Sequence, residues 1–140
     1  MKSILIPTED HDTMQAVLAT ALVVARTFDS YMEGFAIRPA VGTYVTVEPV
    51  SSLAISGAFD EDTAREAQAL FEKFMQGNGV PRMGSGPTVL SWGWPRSEAT
   101  DDAALGSYGR VFDLIVLGRP GRDVENARMP PLESALFESG

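Results

Sequence analysis

Two short apolar runs constrain this chain more than anything else in it. Ser3-Ile4-Leu5-Ile6-Pro7 and Phe112-Asp113-Leu114-Ile115-Val116-Leu117-Gly118 are bounded by polar and turn residues. A run of this length without polar alternation reads as a strand covered on both faces, which is the habit of a parallel sheet.

The segments between them alternate in kind. Met14, Val17, Leu18, Ala21, Leu22, Ala25 and Phe28 recur at helical spacing, with Asp12 or Thr13 as candidate caps. Tyr31 to Ile37 reads as a second strand, interrupted by Gly34. Arg38 to Gly57 is punctuated by Pro39, Gly42, Pro49 and Gly57 and reads as an irregular loop. A stretch of that length without regular structure is usually functional or mobile, so residues 39–57 are the one candidate insertion, lid or partner surface. Asp60 is the expected cap of a second helix carrying Ala64, Ala67, Leu70, Phe71, Phe74 and Met75, stopped by Gly77 and Gly79. Asp60-Glu61-Asp62 then reads as charge complementing the helix dipole. Thr88 to Trp92 reads as a third strand, Ser97 to about Tyr108 as a third helix, and Pro131 to Glu138 as a last one. Alternating strands and helices predict an α/β fold: an open, doubly wound parallel sheet in three α/β/α layers, with right-handed crossovers. The 140 residues suit a single domain, 1–140.

Charge and composition exclude several functions. With 11 basic and 19 acidic residues the chain carries −8 and shows no basic stripe, so nucleic acid is not expected as a partner. No apolar stretch reaches the length of a membrane span, and the amino terminus lacks the pattern of a signal peptide. The absence of cysteine removes disulfides, thiolate metal sites and cysteine nucleophiles, and agrees with a cytoplasmic location.

In an open doubly wound sheet, ligands bind outside the carboxyl ends of the strands at the switch point. Taking the two most apolar strands as the central pair, those ends carry Pro7-Thr8-Glu9-Asp10 and Gly118-Arg119-Pro120-Gly121. Gly118 and Gly121 allow backbone N–H groups to approach a phosphate, with Arg119 and Arg122 beside them; the same residues equally make a tight turn after a buried strand. His11, the only histidine, is a candidate base or ligand with Asp10 and Asp12, or simply part of a solvated cap. Trp92 and Trp94 share a face and either stack on a base or cover the end of the core. There is no Gly-Lys-Ser/Thr phosphate loop, no Gly-x-Gly-x-x-Gly after the first strand and no Gly-x-Ser-x-Gly elbow. A phosphate-accepting receiver domain is also excluded: Glu9 and Asp10 would supply its acidic pair, but the third strand ends Trp92-Gly93-Trp94 and no Lys follows Lys73.

The pattern resembles the universal stress protein family, a branch of the adenine-nucleotide α-hydrolase-like fold. Lys2-Ser3-Ile4-Leu5-Ile6-Pro7 looks like that family's opening strand. Phe112 to Gly118 is similar to its fourth strand, in which an Asp precedes an apolar run ending in Gly. Leu132 to Gly140 resembles the last helix of divergent tandem-domain bacterial members. The resemblance implies a non-enzymatic regulatory domain in stress response. It implies no metal, a homodimer or tandem pair joined along the sheet edge at 112–118, and an adenine-nucleotide site for ATP or AMP. Carried onto this chain, that site comprises Pro7, Thr8 and Glu9, Ala36 and Ile37 lining the base, and Gly118, Arg119 and Gly121. The ATP-binding branch continues after Gly-x-x-Gly with nine residues, a Gly and a Ser/Thr. Here Pro131 and Leu132 stand at those positions, and Pro has no N–H to offer, so ATP binding is expected to be weak, altered or lost. The sequence stops at Gly140, where the family's usual fifth strand would begin: either it is a fragment of a longer tandem protein or that strand is missing, which would leave the strand at 112–118 with an open edge. Two other readings compete: an interaction domain with a vestigial pocket, and an adenylyl-transferring or ligase-type enzyme, whose Ser-Gly-Gly or His-x-x-His motifs do not occur here.

Overall fold

The computed structural model describes residues 1–38, 52–84, 89–95, 100–120 and 128–140. In chain order the elements are β1 (Ser3–Thr8), α1 (Met14–Phe28), β2 (Tyr31–Arg38), α2 (Ser52–Gly77), β3 (Ser91–Gly93), β4 (Thr100–Asp101), α3 (Asp102–Gly109), β5 (Leu114–Ile115) and α4 (Met129–Phe137). The strands form a parallel sheet in the order β3-β2-β1-β5, and β4 pairs with the end of β2. The chain steps one way from β1 to β3 and then returns to the far side of β1, so the switch point lies between β1 and β5.

Alternation along β1 divides the core. Ile4 and Ile6 join Met32 and Trp92 under α1 and α2, whose Leu18, Ala21, Phe71 and Met75 complete that cluster. Leu5 faces the other way and packs with Phe35, Ile37 and Leu105, against which Tyr108, Ile115 and Ala135 also lie. Helices therefore cover both faces of the sheet, as the uniformly apolar strands require.

Several expectations are corrected. Leu114–Ile115 lies beside β1 but at the edge of the described sheet; the central strands are β1 and β2. An apolar run reports cover on both faces and says nothing of whether both edges are paired. The second helix starts at Ser52 rather than Asp60, so the loop expected over 39–57 is shorter at its carboxyl end; residues 39–51 lie outside the described residues. Gly57 falls inside the helix, where a glycine costs only about 1 kcal/mol against alanine. The acidic cluster at 60–62 consequently sits mid-helix, not at a dipole end, and Glu61 and Asp62 pair with Arg65 on an exposed face. At α1 neither candidate makes a side-chain cap: Thr13 occupies the cap position without such a bond, its hydroxyl instead lying 3.0 Å from His11 Nδ1. The third strand also shifts, to Ser91–Gly93, and the third helix begins at Asp102.

Gly34, which reads as an interruption of the second strand, is the point where β2 and α2 meet most closely. A Cβ there would fall 2.6 Å from the Phe71 ring, and Phe71 is fully buried. Gly34→Ala is expected to cost about 1–3 kcal/mol through overpacking. The double variant with Phe71→Leu should cost less than the sum of the two single changes. Urea unfolding of the four proteins measures both terms.

Candidate functional site

Three charged side chains converge at the carboxyl end of β1. Glu9 follows the strand directly. Asp102 opens α3, and Arg128 precedes α4 in extended backbone, its place set by the prolines of that helix's first turn. Pro is pre-organised for that turn and lacks only an N–H that would go unused there. Arg128 Nε donates to Glu9 Oε1 at 2.7 Å, Nη1 to Asp102 Oδ2 at 2.7 Å and Nη2 to Asp102 Oδ1 at 2.8 Å, and Nη2 also donates to Glu9. The side chains are 15% exposed for Glu9, 7% for Asp102 and 28% for Arg128. A guanidinium is suited to this position because its fixed fork matches a carboxylate in two-point geometry.

Arg128 lies between the two carboxylates and donates to both. Burial raises the Glu9 carboxyl above its ordinary 4.5 and outweighs the opposing pull of Arg128, while the Asp102 charge adds to the rise. Burial works against the Arg128 charge too, but its hydrogen bonds and the two carboxylates more than offset that and hold the guanidinium firmly protonated.

The residues expected around a ligand are distributed unevenly. Pro7 and Thr8 are buried in β1 opposite Phe35 and Ala36, and the Thr8 hydroxyl donates back to the Ile6 carbonyl at 3.0 Å. Ala36 and Ile37 are buried at the end of β2, Ile37 within the core cluster shared with Leu5. Gly118 is buried and Arg119 exposed beyond β5; Gly121 lies outside the described residues. Pro131 is buried in the first turn of α4. Arg128 and Asp102 were not anticipated. An Arg just ahead of Met-Pro-Pro and one Asp of an Asp-Asp pair carry no signal until the chain has folded. His11 sits in the turn after β1, its imidazole pushed below its ordinary range by burial against the pull of Asp10 and Asp12. Among the described residues, no group of three or more His, Asp or Glu could hold a metal ion, and no helix is long and apolar enough to cross a membrane. Trp92 is core, its Nε1 donating to the Val80 carbonyl at 3.0 Å, and Trp94 packs on Phe71.

Two further polar groupings are structural. The Asp113 carboxylate accepts the N–H groups of Lys2 at 2.6 Å and Ser3 at 3.0 Å, which holds it below the ordinary carboxylate range. It thereby ties the start of β1 to the approach to β5. Near the opposite end of the sheet from Glu9, Glu33 accepts the hydroxyls of Tyr31, at 2.5 Å, and Tyr108. Burial and that shared carboxylate push both phenols up.

A solved structure of the universal stress protein UspA from Lactobacillus plantarum superposes on this chain with a TM-score of 0.69 at 18% identity, covering 99% of this chain and 92% of that one. The fold is that of a universal stress protein. No family model and no curated protein matches the chain by sequence. In this universal stress protein fold Glu9 leaves the carboxyl end of β1 beside the switch point, and it is already engaged by Arg128.

Removing Arg128 takes from two largely covered carboxylates the guanidinium that donates to both, a change of the kind that costs about 3–5 kcal/mol. Arg128→Ala is expected to lose stability on that scale in urea at pH 7. Glu9→Gln, which leaves a neutral Arg128–Asp102 pair, should be no less stable than the parent. The sign of the pH effect follows from the raised Glu9 carboxyl. The native state binds its proton more readily than the unfolded chain, so its contribution to stability falls as pH rises from the ordinary value through the raised one. Glu9→Gln should remove that part of the pH dependence.

Proposed function

We propose that this chain is a non-catalytic regulatory domain of universal stress type that works through its surfaces, with adenine-nucleotide binding weak or lost. The observation that carries the reading is the commitment of Glu9 to Arg128. The resemblance assigns Glu9 to the base of a nucleotide, yet here its carboxylate is occupied by an internal guanidinium. A polyphosphate drawing Arg128 away would break its contacts to both carboxylates and be repelled by their negative charge. Pro131 in the first turn of α4, where the ATP-binding pattern calls for glycine, points the same way.

The surface that suits a partner is the outer edge of β5. Val116 N–H reaches inward to the Leu5 carbonyl at 2.9 Å, so the alternation of β5 turns the backbone groups of Ile115 outward. A groove of about 420 Å³ runs beside this edge, with Phe112, Ile115, Leu117, Leu132 and Leu136 among its walls. Leu136 and Phe137 next to it are 65% and 82% exposed. A strand edge with no neighbouring strand among the described residues, flanked by apolar side chains, is a template for pairing, and a second copy of the chain, or a tandem domain, joined along 112–118 is the partner we assign to it. The setting we assign is the cytoplasm.

Calorimetric titration with ATP and AMP, with and without magnesium, together with mass in solution, tests the reading. The expected result is no micromolar binding and a dimer that Leu136→Asp converts to monomer. Micromolar ATP binding would replace this reading with that of a nucleotide sensor, and a monomeric parent would remove the role of the edge.

A further inference from the structure

Asn78-Gly79 is the only Asn-Gly pair in the sequence, and it sits where α2 ends. Such a pair carries its own chemistry, because glycine has no side chain to hinder attack of its amide nitrogen on the preceding carboxamide. Here both reacting groups are already engaged. Gly79, in the left-handed region at φ +68°, donates its N–H to the Gln76 carbonyl at 3.0 Å, and Val80 N–H reaches back to the Met75 carbonyl at 3.0 Å. These two bonds are the double closure of a glycine-capped helix end. Asn78 Nδ2 donates to the Phe74 carbonyl at 2.8 Å, and the Asn78 carbonyl accepts from Arg26 Nη2, in the last turn of α1, at 3.0 Å. Asn78 and Gly79 are exposed, whereas Val80 beside them is buried. The Val80 carbonyl accepts the buried Trp92 indole N–H at 3.0 Å. The cap is therefore open to water on one side, and on the other it holds the joint between α2 and β3.

We propose that Asn78 is a fold-gated deamidation site: the closed cap keeps the Gly79 N–H and the Asn78 carboxamide in other hydrogen bonds, and each opening of the cap exposes them to a conversion that prevents it from closing again. In the open state the Gly79 nitrogen gives up its proton and bonds to Asn78 Cγ. The Cγ–Nδ2 bond breaks and ammonia leaves, closing a five-membered imide. Water then cleaves one of the two imide C–N bonds. Cleavage at Cγ restores the main chain with an aspartate at position 78. Cleavage at the main-chain carbonyl carbon leaves the chain running through Cβ and Cγ, an isoaspartyl link with a free carboxylate. Water is the only co-reactant. Either product lacks the Nδ2 donor to Phe74 and puts a carboxylate at the carboxyl end of α2, where the helix dipole disfavours negative charge. The isoaspartyl link also adds one atom to the main chain immediately before Gly79. The bonds to Gln76 and Met75 then lose their register, and the Val80 carbonyl is drawn away from Trp92.

The test is to age the chain at mildly alkaline pH, both native and unfolded in guanidinium chloride. Residue 78 is followed by the mass gain of amide-to-acid conversion and by enzymatic methylation of isoaspartyl carboxylates. The native chain should convert about tenfold or more slowly than the unfolded one, since only the open fraction reacts. Arg26→Ala, which releases the Asn78 carbonyl, should speed the native conversion and leave the unfolded rate unchanged. In the isoaspartyl fraction, isolated chromatographically, the Trp92 indole N–H should exchange with solvent about tenfold or more faster than in the parent. Asn78→Asp, which has the charge but not the longer main chain, should fall between the two. Native conversion as fast as that of the unfolded chain overturns the gating. An isoaspartyl chain whose Trp92 indole stays as protected as the parent's overturns the loss of the cap, and no conversion even in the unfolded chain overturns the site itself. The native and unfolded parent decide the matter even if Arg26→Ala fails to fold.

Discussion

Ile4 and Ile6 project into one core and Leu5 into the other, and the backbone that carries them is paired on both edges, to β2 and to β5. That strand has no direction in which to face water. Its side chains therefore have to be apolar on both faces, its N–H and C=O groups have to be met by neighbouring strands, and a helical layer has to lie above and below. The remaining elements are arranged to satisfy those demands. The same strand delivers Glu9 to the point where it emerges, so the position of the site is a consequence of the most buried part of the molecule.

Emerging from so buried a strand gives Glu9 an unusual setting. It is too covered to be fully hydrated and too close to Asp102 to be ionised without compensation. Arg128 supplies compensation, and its guanidinium is shared between Glu9 and Asp102. Buried ion pairs are poor sources of net stability, and their best-attested use is in specifying arrangement or switching it. The cluster fits that pattern. It fixes where the starts of α3 and α4 sit relative to β1.

The layered α/β fold was legible because the demands of a doubly covered strand are local: Ile4-Leu5-Ile6 and the run at 114–117 can be read without knowing their neighbours. The helical period of α1 was equally plain, since Met14, Val17, Leu18, Ala21, Leu22 and Ala25 are the residues it buries. Element ends were read less well where glycine stood as punctuation. Gly57 lies within α2, and Gly34 proved to be a contact with Phe71 rather than a break. The site was half legible. Glu9 follows from the topology, because the end of the first strand borders the switch point in such a sheet. Arg128 and Asp102 do not, since they meet Glu9 across 119 and 93 positions of chain and carry no pattern that anticipates the meeting.

The staple between Asp113 and the first residues of β1 has a further consequence, for the order of events at the ribosome. The second edge of β1 is closed by residues 113–116, more than a hundred positions downstream. At about 5–20 residues per second, the nascent strand waits on the order of ten seconds between its own emergence and that of its last partner. Through that interval Ile4, Leu5 and Ile6 have β2 beside them and one helical layer at most. Contacts this distant in sequence form late and slow the overall reaction. The interval between synthesis of β1 and of β5 is therefore when this chain is most exposed to misassembly, and Asp113 is among the residues that bring it to an end.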